Sequence, residues 1–174
     1  PKAVESAITE KTAAILPVHL YGLPADMIAL RRIADEHGIY LIGDAAQAHG
    51  SAINGEKVGT LADIECFSFY PTKNMTTGEG GMVTTNDEKL FHMLDSIRNH
   101  GRPDSTLGQY EHIRFGLNLR ITDLGSAIGR VQLQKLPLFN EKREQNANRY
   151  LNELKNLQGI VLPSYQKEFH HVWH

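Results

Sequence analysis

The sequence has little of several features that define large classes of proteins. It contains one cysteine, Cys66, which excludes an intrachain disulfide; because Cys66 lies in an apolar run, we expect a small buried side chain with no nucleophilic role. No apolar stretch approaches the roughly 20 residues that span a bilayer, and the N-terminus has no signal-peptide core, so we expect a cytoplasmic protein without membrane contacts.

The chain also has little net charge. The formal net charge is -2 and no dense Lys/Arg block occurs, so the sequence predicts no nucleic-acid partner. The nine histidines show no spacing typical of metal ligands, and we predict no metal site.

What remains is the composition of a globular protein. The 174 residues are 41% hydrophobic and 22% charged. The chain does not begin with Met and stops within a predicted strand at residues 170–174, so we expect a piece of a longer protein.

The first third of the chain predicts a βαβ unit. An apolar run over residues 12–20, interrupted by Pro17, indicates a strand that ends near Val18. Residues 26–36 carry apolar side chains at helical spacing, and Gly38 follows as a helix stop. Residues 39–42 then form an apolar strand, which we expect to pair in parallel with the first.

Asp44 follows that second strand directly. In open α/β sheets, ligands bind at the carboxyl ends of parallel strands, so Asp44 is a candidate binding residue. Asp is also a preferred helix N-cap, and the residues alone leave both interpretations open. After it, residues 51–63 are irregular, with a turn predicted at Asn54-Gly55.

A third strand, over residues 64–70, leads into a loop that carries Lys73. Pro71 ends the strand, and Gly78, Gly80 and Gly81 allow close approach of a bulky group. A lysine held at a strand end can become a nucleophile toward a carbonyl carbon. The alternative is an ordinary solvated lysine beside a glycine-rich turn.

The remaining chain predicts one more strand and mainly helix. A strand over residues 81–85 pairs with the third strand, and Asn86 caps a helix over residues 87–97. Periodicity fails between residues 98 and 120, where four arginines invite either phosphate contacts or plain solvation. Helices then cover residues 124–136 and 138–157, separated by Pro137.

Asp44 and Lys73 therefore project from neighbouring strand ends on one side of the sheet. Pyridoxal 5'-phosphate requires such a pair: a lysine amine that bonds to its aldehyde, and a carboxylate against its pyridine nitrogen. Spacing alone makes this site plausible.

Three stretches closely resemble the nucleotide-sugar aminotransferases of the DegT/StrS group, and the resemblance extends over essentially the whole chain. They are Asp44 to Gly50 (DAAQAHG), Ser68 to Met82 (SFYPTKNMTTGEGGM) and Gly116 to Asp123 (GLNLRITD). The resemblance implies an α/β fold: part of a three-layer α/β/α large domain with a mostly parallel sheet over residues 1–136, then a connector helix and the start of a small C-terminal domain over residues 137–174.

The same resemblance implies roles for individual residues. Lys73 holds the cofactor covalently and then moves the proton, while Asp44 pairs with the pyridine nitrogen. Gln47 contacts the side of the cofactor's 3-hydroxyl, and Ser68 binds its phosphate. Asn118 reaches a phosphate in the partner subunit, which implies a homodimer with shared sites.

The implied reaction moves an amino group from an amino acid, with glutamate as the expected donor, to a nucleotide-linked keto sugar. Tyr70 and Leu119 depart from the family pattern, which has histidine and an aromatic residue there, and the family's Gly-Thr phosphate loop would precede Pro1. Two alternatives remain: a non-catalytic regulatory protein on the same fold, and a sugar dehydratase, in which histidine replaces the lysine.

Overall fold

The computed structural model describes residues 1–103 and 111–174, which contain seven strands, four α-helices and one short 3-10 helix (Leu20–Gly22). The strands are β1 (Ala14–Ile15), β2 (Tyr40–Asp44), β3 (Ala52–Ile53), β4 (Glu56–Lys57), β5 (Ile64–Ser68), β6 (Gly81–Thr84) and β7 (Phe169–His170). The helices are α1 (Lys2–Ala7), α2 (Met27–His37), α3 (Glu88–Arg98) and α4 (Asp123–Leu154).

The main sheet has the order β1-β2-β5-β6. The first three strands are parallel, and β6 runs antiparallel to β5. Asp44 is in register with Cys66, two residues before β5 ends, so β2 and β5 finish at the same edge of the sheet. The α/β class, with a mixed and mostly parallel sheet, is confirmed.

Helix α2 joins β1 to β2 as the apolar spacing predicts. The Asp26 side chain accepts a hydrogen bond from Ala29 N at its start, and Gly38 ends it in a left-handed conformation with φ of 62°. Its buried face, which includes Leu30 and Ile33, packs with Leu41 of β2 in the main core. This packing fixes the position of β2 and therefore of Asp44.

Residues 51–63 are more ordered than the irregular stretch that we expected. β3 and β4 form a short hairpin, with Asn54 and Gly55 both at positive φ in its turn, and β7 pairs with the other side of β3. The second sheet therefore carries the C-terminal residues back to the edge of the main sheet, a contact that no local signal predicts.

The burial pattern of β5 contradicts our prediction that the Cys66 side chain is buried. Glu65 is fully buried, whereas Cys66 is exposed. Alternation along the strand decides this, because Glu65 turns toward the buried His19 (0% exposed) and the next residue must then face the other side.

Two helix boundaries also differ from the prediction. Asp87, and not Asn86, caps α3, since its side chain accepts a hydrogen bond from Leu90 N. The Thr122 side chain caps α4 by accepting a hydrogen bond from Gly125 N, and α4 continues through Pro137, where we expected a break. Leu136 and Asn140 are both buried beside that proline, and this tertiary packing offsets the roughly 3 kcal/mol that proline costs within a helix.

The predicted boundary between the large-domain part and the connector, after residue 136, stays a prediction. Within residues 1–103 and 111–174, no helix is both long enough and apolar enough to cross a membrane.

Candidate active site

Asp44 is held by its main chain at the edge of the sheet. Its N–H donates to Pro17 O at 2.9 Å, and its carbonyl accepts from His19 N at 3.0 Å. Its Oδ1 accepts from Ala46 N at 3.0 Å, within a turn. No helix begins among the described residues that follow directly, so the interpretation of Asp44 as a helix cap is wrong.

Gln47 lies in the same turn region, with its amide orientation fixed. Its Oε1 accepts a 2.6 Å hydrogen bond from Tyr21 N, and Tyr21 itself has a left-handed backbone with φ of 56°. Among the residues that the structure describes, the Gln47 NH2 group has no protein acceptor. It is therefore available to donate to a ligand.

Ser68 and Lys73 are placed by a loop that folds back onto the end of β5. Ser68 Oγ accepts from Tyr70 N at 3.3 Å, and Lys73 N donates to Tyr70 O at 3.0 Å. The Thr76 hydroxyl donates to Phe69 O at 2.9 Å. Asp44, Gln47, Ser68 and Lys73 are thus positioned by this chain alone; we call them the strand-end group.

Two histidines near Lys73 have lowered pKa values, in part because of its positive charge. His49 is buried between Phe67 and Phe69, and burial lowers its pKa to about 4, with the positive charge of Lys73 acting in the same direction. Burial also lowers the pKa of His174, assisted by Lys73 and Arg143. The Lys73 amine therefore lies in a positively charged part of the molecule.

Sequence reasoning missed His174 and Arg143 as neighbours of Lys73. Asn74 connects the segments, because its Nδ2 donates to Val172 O and its Oδ1 lies 3.2 Å from His174 Nδ1. These partners are about a hundred residues apart in the chain, so no local pattern indicates the contact.

Asn118 lies apart from the strand-end group. It is exposed, and its main chain forms an isolated bridge with Asn99. Of the four arginines in this region, Arg98 is ion-paired with Asp95, and Arg120 donates to Asn99 Oδ1 at 2.7 Å. Part of the predicted arginine cluster is thus engaged locally; residues 104–110 lie outside the described residues.

Cys66 lies beside Asp44 but is not poised as a nucleophile. Partial burial of the thiol, together with the carboxylates of Asp44 and Glu65, raises the pKa of Cys66. Across residues 1–103 and 111–174, no three His, Cys, Asp or Glu side chains group in a way that could hold a metal ion.

The free polar atoms of the strand-end group fit pyridoxal phosphate. Asp44 keeps Oδ2 without a partner in the described part of the chain, which suits a pyridinium N–H. The Gln47 NH2 group suits the ring hydroxyl, and the Ser68 hydroxyl suits a phosphate oxygen. The cofactor would supply an electron-withdrawing ring, and the protein's groups would hold and orient it.

Comparison with known proteins agrees with this fold. The model of the DegT/DnrJ/EryC1/StrS aminotransferase family matches residues 1–174, and the chain belongs to this family. Pyridoxal phosphate is the cofactor that the family implies.

Two curated relatives have stated activities. One is dTDP-3-amino-3,4,6-trideoxy-alpha-D-glucose transaminase of Streptomyces venezuelae, 43% identical over 100% of this chain and 45% of its own length. The other is UDP-N-acetyl-3-dehydro-alpha-D-glucosamine 3-aminotransferase of Acidithiobacillus ferrooxidans, 43% identical over 98% of this chain and 45% of its own length.

Among solved structures, Streptomyces venezuelae DesV superposes with a TM-score of 0.91 at 43% identity, covering 98% of this chain and 45% of that one. The fold is that of the fold type I pyridoxal phosphate aminotransferases, as expected. The chain spans about half the length of the curated relatives it matches.

Proposed function

We propose that the protein transfers an amino group from an amino acid, with glutamate as the expected donor, to a keto sugar attached to a nucleotide. The observation that carries the proposal is the strand-end group itself, which combines a lysine on a clamped loop with a carboxylate at the neighbouring strand end. The two curated relatives, named as sugar aminotransferases, support the same substrate class.

Asp44 would act electrostatically. Its carboxylate would contact the pyridine nitrogen and favour the protonated form of that nitrogen, since an opposite charge favours the ionised form. The cofactor so held would supply an electron-withdrawing ring. The hydrogen bond from Ala46 N holds one carboxylate oxygen in place and leaves the other free for this contact.

Gln47 and Ser68 would orient the cofactor. The Gln47 amide, fixed by Tyr21 N, would donate on the side of the ring hydroxyl, and the Ser68 hydroxyl would donate to the phosphate. Both residues have main-chain or turn contacts that fix their position before a ligand arrives, so little ordering is required on binding.

Lys73 would serve first as the covalent anchor and then as the base. When its amine is free, Nζ would take the proton that the carbon of the amino-acid substrate loses and would supply the proton that the sugar carbon gains. The keto sugar reverses the same steps, so Lys73 carries the proton in both halves of the reaction. Donor and product then balance: the amino acid leaves as a keto acid and the sugar as an amino sugar.

We further propose a cytoplasmic homodimer in which Asn118 contacts a phosphate bound by the partner subunit. The exposure of Asn118, away from its own strand-end group, supports this role. The proposal includes the division into a large-domain part at residues 1–136 and a connector with the start of a small domain at residues 137–174.

The test is the visible absorption spectrum of the full-length protein mixed with pyridoxal phosphate. We expect a band from the covalent lysine adduct, bleached by glutamate, and absent in Lys73→Ala. Lys135→Ala, which removes an exposed lysine from α4, serves as the matched control and should keep the band. A folded protein without the band would overturn the proposal in favour of the regulatory alternative.

A further inference from the structure

Beside Lys73, the structure contains an open cleft of about 460 Å³ that the sequence did not indicate. Lys73, Lys142 and Arg143 contribute three cationic side chains to it, and Asn74, Gln132 and Asn146 contribute amides. A volume of this size lies within the range of small-molecule sites. We call it the cationic cleft.

The cationic cleft has no acid to neutralise it. Asp and Glu are absent from its lining. Within the described part of the chain, neither Lys142 nor Arg143 forms an ion pair, and neither has an acid three or four positions away on α4. Farther along the same helix, by contrast, Arg149 pairs with Glu153 at 2.7 Å. Lys142 and Arg143 are thus left without an ion-pair partner in the described part of the chain, beside Lys73.

Arg143 is also oriented by the fold. One terminal nitrogen donates to Trp173 O at 2.9 Å, and the guanidinium is half-buried. This bond anchors the side chain and leaves its other N–H groups without acceptors among the described residues. The lowered pKa values of His174 and His49, in part an effect of Arg143 and Lys73, independently indicate an excess of positive charge here.

We propose that Lys142 and Arg143 bind the oxyanion of a substrate whose reacting carbon lies at Lys73. The oxyanion is a diphosphate of a nucleotide or a carboxylate of an amino donor, and both have the oxygen pattern that a guanidinium and an ammonium recognise. This assignment deepens the proposed function and depends on it, because Lys73 defines where the reacting carbon lies.

The test is calorimetric titration of the full-length protein with two probes, UDP and glutarate. Lys142→Ala is the main variant because Lys142 makes no protein contact that the fold requires. We expect the Kd for at least one probe to rise about tenfold, and Lys142→Arg to restore it to within threefold. Lys135→Ala, an exposed lysine of α4 outside the cleft, should leave both Kd values unchanged.

The two probes distinguish the sources of the oxyanion. A loss for UDP alone assigns the cleft to the diphosphate, a loss for glutarate alone assigns it to the donor's carboxylate, and a loss for both means that the two substrates share it. An unchanged Kd for both probes in Lys142→Ala, or an equal loss in Lys135→Ala, would overturn the proposal.

The visible spectrum with pyridoxal phosphate distinguishes a failure of the cleft proposal from a failure of the proposed function. Lys142→Ala should form the same visible band as the wild-type protein, because Lys142 does not hold the cofactor. Absence of the band in the wild-type protein would refute the aminotransferase, whereas the UDP titration would still report whether the cationic cleft binds an oxyanion.

Discussion

The strand-end group and the segment around Asn118 differ in how firmly this chain holds them. Main-chain pairing, turn hydrogen bonds and a packed core beneath the sheet fix Asp44, Gln47, Ser68 and Lys73. The segment 111–121 instead displays apolar side chains, with Phe115 84% exposed and Leu119 60% exposed. One part of the candidate site is thus built by the chain itself, and the other is presented outward, as a contribution to a partner subunit requires.

The largest expected effect comes from disturbing the buried pair that supports the strand carrying Asp44. His19 and Glu65 are fully buried, and His19 Nε2 lies 3.4 Å from Glu65 Oε1. Since His19 Nδ1 accepts from Ala25 N, the proton of the neutral ring is on Nε2 and faces the carboxylate. Gly43 packs directly against this pair, so the strand that carries Asp44 depends on it.

Gly43→Ala should therefore destabilise the protein. The added Cβ would lie 2.8 Å from Glu65 Cγ and 2.9 Å from Glu65 Oε1. Because Glu65 is fully buried, its side chain has no space into which it could move away. We expect the free energy of unfolding to fall by about 2 kcal/mol, measured by urea denaturation.

The matched control is Gly129→Ala in α4, where the new Cβ meets only Thr77 Cγ2, at 3.1 Å. Helix propensity favours alanine by about 1 kcal/mol and offsets that contact, so stability should change little. Equal effects of the two substitutions would contradict the special role of Gly43.

A second effect, of similar size, concerns His49, which lies close enough to Lys73 to feel its charge. Its pKa of about 4 lies below the ordinary value of 6.5, so the unfolded chain takes up the proton first as the pH falls. The stability from the neutral, buried ring is complete above pH 6.5 and is lost as the pH falls toward 4. Between pH 7 and pH 5 the loss should be about 2 kcal/mol in the free energy of unfolding.

His49→Phe should flatten this pH dependence, because a phenyl ring between Phe67 and Phe69 has no proton to gain. Urea denaturation at pH 7 and pH 5 measures the difference. His37→Phe removes an exposed histidine at the end of α2 and serves as the control. A slope as steep in His49→Phe as in the wild-type protein would mean that other groups cause the acid sensitivity.

Local signals predict the strand ends that carry Asp44 and Lys73. Asp26 and Gly38 delimit α2, the apolar runs give β2 and β5, and the carboxyl ends of parallel strands must share an edge. The positions of Asp44 and Lys73 follow from these rules. Their chemical roles came from the resemblance to a family and remain proposals.

Tertiary contacts determine what the sequence could not predict. α4 continues through Pro137 because residues on both sides of it are buried, and periodicity does not reveal such packing. The apolar character of β5 suggested a buried cysteine, but the His19–Glu65 contact turns Glu65 inward instead. His174 approaches Lys73 because the C-terminal segment folds back, and Arg143 does so because α4 packs against the Lys73 loop.

The smallest expected effect on stability tests the outward-facing part of the site. Asn118 is exposed, and its side chain forms no hydrogen bond among the described residues, so Asn118→Ala should change the free energy of unfolding by less than about 0.5 kcal/mol. If Asn118 contacts a phosphate in the partner subunit, the same substitution should raise the Kd for pyridoxal phosphate about tenfold. Titration of the visible band with cofactor measures this, and Asn86→Ala, an exposed asparagine before α3, is the control. A Kd unchanged by Asn118→Ala would mean that this segment presents its asparagine for something other than the cofactor, and the strand-end group would then bind the cofactor without it.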